Sequence, residues 1–221
     1  MMEESFMKHN LLDNITGIVF DYNGTLVFDA PMHVLAWSEI SMRIRNKEVT
    51  AEENHQMSGK NNAVILQMMD PTLTPEQNKK LSLEKEAVYR EMVVQQDLPL
   101  VPGVPAFFDL LKEKGIPFTI ASASIKENID FFVEHYHLDH WIHPETIRYD
   151  DGTYLNKIQM FKDAAEAIHS PVETTLIFED SPTGIRCAHE AGFKHIIHIK
   201  KEEDSMNPLA QYSIKDFTDL I

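Results

Sequence analysis

The sequence predicts an α/β protein, a three-layer α/β/α arrangement built on a parallel sheet, with an all-α domain inserted after the first strand. Two observations support this prediction. Short apolar runs alternate with helical patterns over most of the chain, as expected when helices cover both faces of a parallel sheet. The segment from residue 30 to 98 breaks the alternation and contains only helical patterns. A chain of 221 residues with 43% hydrophobic residues can bury a substantial core.

The predicted strands are short runs rich in Val, Ile and Phe that stop at polar turns. In chain order they are Ile15–Asp21, Ile116–Ser122, Thr174–Asp180 and the weaker His195–Ile199.

The helical patterns of the core lie between these strands, and several of them end in Gly or His, which helix C-termini favour. They span Gly103–Gly115, Lys126–His137, Lys157–His169 and Ser181–Gly192.

The inserted segment is helical throughout, and its strongest pieces are Pro31–Arg45, Asn61–Met69 and Thr74–Gln96. The stretch "LPLVPGVP", with three prolines, then returns the chain to the core. The predicted domains are therefore a core of residues 1–29 and 99–221 and a helical insert of residues 30–98.

Charge and composition limit the function classes. A formal net charge of −15 argues against a sequence-independent nucleic-acid binder, which needs basic residues to neutralise phosphates. The single Cys187 excludes an internal disulfide and fits a reducing compartment. The N-terminal segment has no uninterrupted apolar core, and no run reaches the roughly 18 to 20 apolar residues that span a bilayer. We therefore expect a cytoplasmic protein that binds neither nucleic acid nor membrane, as a monomer or weak dimer.

Polar residues stand at the ends of the three strongest strands: Asp21, Ser122, and Glu179 with Asp180. The carboxyl ends of parallel strands meet at one edge of a sheet, where ligands bind. Carboxylates gathered there repel one another unless a cation lies between them, and an oxygen-rich site suits Mg²⁺. The simpler alternative is that Asp21 and Asp180 only cap the helices that follow.

Four motifs in order make the chain recognisable: "DYNGTL", "TIASAS", a Lys at a helix start, and "LIFEDSPTGI". This set resembles the haloacid dehalogenase superfamily over about Ile15 to Ile199. The insert resembles that family's helical C1 cap, and "DAPMHVLAW" and "SGKNN" resemble cap segments of the beta-phosphoglucomutase-like branch. The resemblance implies a Rossmann-like core, a Mg²⁺ cofactor and a small phosphorylated metabolite as ligand.

The resemblance also implies residue roles. Asp21 matches the nucleophile that becomes a transient aspartyl phosphate, which divides one difficult displacement into two easier steps. Ser122, with backbone N–H groups near Ala123, matches the group that binds phosphoryl oxygens. Lys157 matches the Lys that neutralises charge on the nucleophile and the phosphoryl group.

The metal ligands that the resemblance implies are Asp21, Asp180 assisted by Glu179, and the backbone carbonyl of Asn23. Together with Lys157, the metal would offset the repulsion between an anionic nucleophile and an anionic substrate.

The third motif departs from the family pattern. Many relatives have Lys-Pro-x-Pro-Asp there, whereas this chain has "YLNKIQMF". The assignment of Lys157 therefore rests on its position at a helix start, and Lys126 in "SASIKEN" is the rival.

Asn23 is the larger departure. The family's phosphotransferases have a second Asp at this position, which protonates the leaving oxygen and then deprotonates the incoming nucleophile. A carboxamide can hydrogen-bond but cannot exchange a proton, so we expect activity that is weakened and not abolished. The dehalogenase branch also lacks the second Asp, but it needs no Mg²⁺ and carries Tyr there. The retained "FED" therefore favours phosphoryl chemistry.

Cap positions complete the predicted site. His33 and Trp37 lie one turn apart and can share a helix face, and Lys60 with Asn61 falls in a cap loop. The resemblance implies that these residues meet the substrate. The alternative is that Trp37 packs in the cap core and Lys60 is solvated.

The predicted function is a Mg²⁺-dependent phosphatase-like hydrolase of a small phosphorylated metabolite, with a sugar phosphate as one candidate. A beta-phosphoglucomutase-type phosphotransferase is the nearest alternative. The alternative from another class is a catalytically weakened protein that binds a phosphorylated metabolite.

Overall fold

The computed structural model describes residues 11–57, 60–200 and 204–221. Residues 1–10 and the pair Ser58 and Gly59, which belong to segments interpreted above, lie outside this description. The described part divides into two compact units. One is Asp29–Leu98, and the other combines the described residues of Met1–Phe28 with Pro99–Ile221. That these units are independent domains with the predicted limits remains a proposal.

The larger unit contains a parallel sheet, which has six strands within the described residues, in the order β3-β2-β1-β4-β5-β6. Every neighbouring pair in it is parallel. The strands are β1 (Gly17–Phe20), β2 (Phe118–Ile125), β3 (Arg148–Asp150), β4 (Thr175–Glu179), β5 (His195–Ile199) and β6 (Tyr212–Ile214).

The described ranges contain eight α-helices, four in each unit. Those of the smaller unit are α1 (Ala30–Arg45), α2 (Ala51–Met57), α3 (Asn62–Met69) and α4 (Pro75–Gln95). Those of the larger unit are α5 (Val104–Lys114), α6 (Lys126–His135), α7 (Lys157–Ala167) and α8 (Pro182–Glu190).

The predicted fold class is confirmed, and each predicted strand and helix is present. The strands β3 and β6 were not predicted, and α2 lies in the segment predicted to be helical throughout without being one of its strongest pieces. The two strands are three residues long and occupy the sheet edges. Such short segments have no readable alternation. The sequence of α2, "AEENHQM", is polar and buries only Met57. Most predicted ends differ from the structure by one or two residues, and the largest difference is at β2, which continues beyond Ser122 to Ile125.

The central strand β1 is buried on both faces, which explains its uninterrupted apolar sequence. On one face the ring of Phe20 lies 4.9 Å from that of Phe178 and 5.2 Å from that of Phe108. On the other face Val19 belongs to a cluster that includes residues of α7 and α8. The strand is thus held from both sides, and Asp21 follows immediately at its carboxyl end.

In the smaller unit, side chains that are near in sequence cap the starts of two helices. Thr74 and Gln77 form a reciprocal capping box at the start of α4, and the side chain of Asn61 accepts a hydrogen bond from the N–H of Val64 at the start of α3. Among the described residues, no helix combines the length and the apolar character that a membrane crossing requires.

Candidate active site

The carboxyl ends of β1 and β4 bring three acidic side chains together. Oxygen atoms of Asp21, Glu179 and Asp180 all lie within 4.8 Å of one another. Asp21 and Glu179 are buried and Asp180 is half-buried. The adjacent strand β2 contributes Ser122, also buried. The polar strand ends therefore converge, and they form a cluster of carboxylates at the edge of the sheet.

Lys157 is the cation of this cluster. Its Nζ donates to Asp21 Oδ1 at 2.5 Å and to Glu179 Oε1 at 2.6 Å. The side chain of Asn156 caps α7 by accepting a hydrogen bond from the N–H of Ile158 at 2.9 Å, which places Lys157 in the first helical turn. The rival Lys126 is exposed and pairs with Asp130 on its own helix. The geometry favours Lys157 over Lys126 for the third motif.

Glu179 is held from two sides. Its Oε1 accepts the bond from Lys157, and its Oε2 accepts one from the N–H of Ser181 at 2.6 Å. Gly184 makes room for this carboxylate, since a Cβ at residue 184 would lie 1.7 Å from Glu179 Oε1. Both oxygens of Glu179 thus have protein partners, so the residue holds Lys157 in place.

Gly24 makes similar room for Asp180. A Cβ at residue 24 would lie 2.2 Å from Asp180 Oδ2, and the backbone of Gly24 has a φ of +82°, which favours glycine. The Asn-Gly turn after β1 therefore serves close packing against Asp180 as well as reversal of the chain.

The cluster carries more negative charge than Lys157 can balance. Burial raises the pKa of Asp21 to about 7, with Lys157 opposing the rise and Glu179 adding to it. Burial, followed by the charges of Asp21 and Glu179, raises the pKa of Asp180 to about 8. Burial would lower the pKa of Lys157, but Asp21 and Glu179 outweigh it and raise that pKa above its usual value.

This donor set fits a cation. Carboxylate oxygens are the ligands that Mg²⁺ prefers, and three carboxylates are grouped here with oxygen atoms within 4.8 Å of one another. The space above Gly24 allows Asp180 to approach the end of β1 closely. The acidic cluster can therefore hold a metal ion.

The side chain of Asn23 is tied to the end of β2. Its Oδ1 accepts hydrogen bonds from Ser124 Oγ at 2.7 Å and from Ser122 Oγ at 3.2 Å. The backbone N–H of Ser124 donates in turn to Ser122 Oγ at 3.2 Å. Sequence analysis missed Ser124, although a second Ser two positions along a strand was a usable signal, because alternate residues share a face. Ala123, between the two serines, is exposed.

The four predicted cap residues belong to the smaller unit. His33 bridges two charged groups there, with Nδ1 2.7 Å from Lys85 Nζ and Nε2 3.3 Å from Asp29 Oδ2. Because an ammonium only donates, Nδ1 of His33 accepts and Nε2 carries the hydrogen that faces Asp29. Sequence analysis missed the buried Lys85 and Asp29, since neither follows a predicted strand.

The other cap residues have simpler surroundings. Trp37 is buried, with Lys85 Nζ 5.3 Å from the centre of its ring, while Lys60 is exposed. Asn61 caps α3. These positions agree with the packing and solvated alternatives, and contact of His33, Trp37, Lys60 or Asn61 with a substrate remains a prediction.

Comparison with protein-family models matches residues 15–192 to the hydrolase family described as haloacid dehalogenase-like hydrolase. Among solved structures, the chain is 30% identical to a HAD hydrolase, family IA, variant 3, from Entamoeba histolytica, with a TM-score of 0.87. That match covers 94% of this chain and 96% of the other.

Two more distant structures share the fold. Beta-phosphoglucomutase (pgmB) from Clostridium difficile is 18% identical over 94% of this chain and 93% of its own, with a TM-score of 0.75. A mutant of CbbY from Rhodobacter sphaeroides, in complex with xylulose-(1,5)bisphosphate, is 18% identical over 92% of this chain and 95% of its own, with a TM-score of 0.78.

Proposed function

Because the chain belongs to the haloacid dehalogenase-like hydrolases of family IA, we propose that it is a Mg²⁺-dependent phosphatase-like hydrolase of a small phosphorylated metabolite. The observation that carries this proposal is the half-buried Lys157 ammonium, which contacts Asp21 at 2.5 Å and Glu179 at 2.6 Å within a cluster of three carboxylates. Such a cluster suits an anionic nucleophile that must accept an anionic substrate.

In the proposed first step, a carboxylate oxygen of Asp21 attacks phosphorus and the bond between phosphorus and the leaving oxygen breaks. The product is an aspartyl phosphate. In the second step water attacks phosphorus and gives its proton to another water molecule, and the bond between phosphorus and the Asp21 oxygen breaks to release inorganic phosphate and the free carboxylate. Lys157 offsets negative charge in both steps because its Nζ already contacts Asp21.

The phosphoryl oxygens need donors at the same edge of the sheet. Ser122 has a buried hydroxyl near the carboxyl end of β2, and the exposed residue Ala123 follows it. We propose that these two residues and Lys157 bind the phosphoryl group, since charge-assisted hydrogen bonds to phosphate are strong.

The proposed Mg²⁺ ligands are Asp21, Asp180 and the backbone carbonyl of Asn23. When bound, Mg²⁺ would supply positive charge that offsets the repulsion between nucleophile and substrate. Glu179 already accepts bonds at both carboxylate oxygens. Its proposed contribution to the metal site is therefore to assist through charge and through the position of Lys157.

Asn23 sets the proposed substrate preference. General acid–base catalysis contributes about 10² to 10⁴ in rate, or roughly 3 to 5 kcal/mol of barrier. The carboxamide cannot deliver a proton, so the leaving alkoxide of an ordinary phosphate ester must obtain one from water. An acyl phosphate releases a carboxylate that needs little protonation. We therefore propose that acyl phosphates are turned over faster than sugar phosphates.

The two alternative functions, a mutase and a binding protein, both depend on the chemistry of Asn23. A mutase of the beta-phosphoglucomutase type must exchange protons with two sugar hydroxyls, so the loss of an acid at residue 23 affects both transfers. Asn23 favours the alternative of a weakened protein that only binds a phosphorylated metabolite. Binding alone, however, does not require the contact between Lys157 and Asp21. The sugar bisphosphate bound to the CbbY mutant supports sugar phosphates as the first ligand class to test.

The test is a Mg²⁺-dependent turnover screen of acetyl phosphate and a panel of sugar phosphates with the wild type, Asp21→Asn and Asn23→Asp. Asn46→Asp, at the exposed end of α1, is the matched control for the introduced charge. We expect no turnover by Asp21→Asn. We expect Asn23→Asp to accelerate sugar phosphate hydrolysis about 10²-fold or more and acetyl phosphate hydrolysis much less.

Unchanged turnover in Asp21→Asn would show that the proposed mechanism is wrong. Absence of turnover by both the wild type and Asn23→Asp, together with Mg²⁺-dependent binding of a sugar phosphate, would favour the binding protein. Conversion of one sugar phosphate isomer into another would favour the mutase.

A further inference from the structure

We propose that His198 is a positioning residue for the metal site, which holds Asp180 in place by fixing the peptide group between residues 180 and 181. This inference rests on the proposed function, because it assumes that Asp180 binds the metal. No resemblance to a motif pointed to His198, which lies in the weakest of the predicted strands.

The contact comes from the register of the sheet. His198 stands beside Glu179 in the pairing of β5 with β4, one position before Asp180. Its buried side chain lies with Nε2 3.0 Å from the backbone carbonyl oxygen of Asp180. Its Nδ1 lies 3.2 Å from the backbone nitrogen of Asn207, in the connection between β5 and β6.

These two contacts assign the hydrogen on the ring. The N–H of Asn207 can only donate, so Nδ1 of His198 accepts and carries no hydrogen. The hydrogen of the neutral ring is therefore on Nε2, where it is donated to the carbonyl of Asp180. The Asn207 contact thus sets the tautomer that the Asp180 contact requires, as a second partner often does for a functional His.

The peptide group between Asp180 and Ser181 is held at both ends. Its C=O accepts from His198, and its N–H, that of Ser181, donates to Glu179 Oε2 at 2.6 Å. A peptide group is planar, so two opposed bonds fix its rotation. That rotation sets the direction of the chain at Asp180. The Asp180 side chain packs closely against Gly24, because a Cβ at residue 24 would lie only 2.2 Å from Asp180 Oδ2.

Residues that hold metal ligands in place typically change metal affinity by about 10-fold to 100-fold when they are replaced. His198 acts through the backbone of a proposed ligand, so we expect an effect near the lower end, about tenfold. A purely structural role would instead lower the stability of the fold and leave metal affinity unchanged.

Two substitutions separate the contacts of His198. The side-chain nitrogen of Gln reaches the position of Nε2 and can donate to Asp180, whereas the side-chain oxygen of Asn reaches only the position of Nδ1 and can accept from Asn207. His195→Asn is the matched control, since His195 starts the same strand about 10 Å away.

The experiment measures Mn²⁺ binding by electron paramagnetic resonance, with displacement by Mg²⁺, alongside thermal melts of the metal-free proteins. We expect the wild type, His198→Gln and His195→Asn to bind Mn²⁺ with similar affinity, His198→Asn to bind about tenfold more weakly, and Asp180→Asn to lose binding. His198→Met, which fills the volume without a donor, replaces His198→Asn if that variant does not fold.

Equal affinity of the wild type and His198→Asn, with loss in Asp180→Asn, would overturn the positioning role and leave the proposed function standing. A wild type that binds no Mn²⁺, or an Asp180→Asn variant that binds it normally, would overturn the metal site and this inference together.

Discussion

Each of the two units holds a lysine among acidic side chains, and the two clusters differ in how their charge is balanced. In the larger unit Lys157 contacts Asp21 and Glu179, and Asp180 adds a third carboxylate. In the smaller unit Lys85 contacts Glu86 at 2.9 Å and the neutral His33 at 2.7 Å.

Neutral donors satisfy the carboxylates of the smaller unit. The Tyr89 hydroxyl donates to Asp29 Oδ2 at 2.5 Å, and the Asn62 side chain donates to Glu86 Oε1 at 2.6 Å. The rings of Trp37 and Tyr89 each lie 5.3 Å from Lys85 Nζ. The carboxylates of Asp29 and Glu86 therefore have hydrogen-bond donors within the smaller unit.

The pKa shifts of the two lysines are opposite in direction. Burial lowers the pKa of Lys85, with Glu86 only partly opposing the effect. At Lys157 the two carboxylates outweigh burial and raise the pKa. A lysine among acidic side chains does not by itself identify a functional site. The three carboxylates grouped at Lys157 can hold a further cation.

The largest expected effect separates the two lysines. Lys157→Met removes the cation beside the proposed nucleophile, so we expect kcat/KM to fall about 10²-fold to 10³-fold. Lys85→Met leaves buried carboxylates without their cation, so we expect a free energy of unfolding lower by about 3 kcal/mol and a smaller change in kcat/KM. Steady-state kinetics and urea denaturation measure both. Equal kinetic losses in the two variants would contradict the distinction.

The next effect is the pH dependence of the acidic cluster. Asp21 and Asp180, with pKa values of about 7 and about 8, keep protons in the metal-free fold that the unfolded chain has lost. Their contribution to stability is therefore complete below pH 4 or so, near the unfolded pKa, and is lost as pH rises through their folded pKa values.

Mg²⁺ requires the ionised carboxylates, so its affinity should rise between about pH 5 and pH 8, by up to about tenfold per pH unit for each proton released. Calorimetric titration in buffers of different ionisation enthalpy measures this proton release. Thermal melts with and without Mg²⁺ should show a larger stabilisation at pH 8 than at pH 5.5. Asp180→Asn is the control. A Mg²⁺ affinity independent of pH would contradict the prediction that these carboxylates release protons when the metal binds.

The smallest expected effect concerns the hydrogen bonds to Asn23. Ser124→Ala removes the shorter of two bonds to its Oδ1, and a hydrogen bond of this kind contributes about 0.5 to 1.5 kcal/mol. We expect kcat/KM to fall about threefold to tenfold while the melting temperature changes little. Ser213→Ala, on the edge strand β6, is the matched control. A Ser124→Ala variant with wild-type kinetics would show that the bond from Ser124 is not needed to hold Asn23.

The strongly apolar strands were predictable because their signal is local. The run that ends in Asp21 and the run that ends in Glu179 and Asp180 both predict buried strands whose carboxyl ends carry acidic side chains. The edge strands β3 and β6 escaped prediction because three residues form a strand only when a neighbouring strand pairs with them. The continuation of β2 past Ser122 depends in the same way on β3, with an irregular register after Ser122.

The alternation of strands and helices, the polar residues at the strand ends and the carboxamide at residue 23 can all be read from the amino-acid sequence. These features follow from periodicity and residue chemistry, which act over a few neighbours. Three contacts become visible in the folded chain: Lys157 and not Lys126 reaches Asp21, Ser124 joins Ser122 on Asn23, and His198 reaches the backbone of Asp180. Such contacts depend on the register and packing of segments far apart in the chain, which no local pattern specifies.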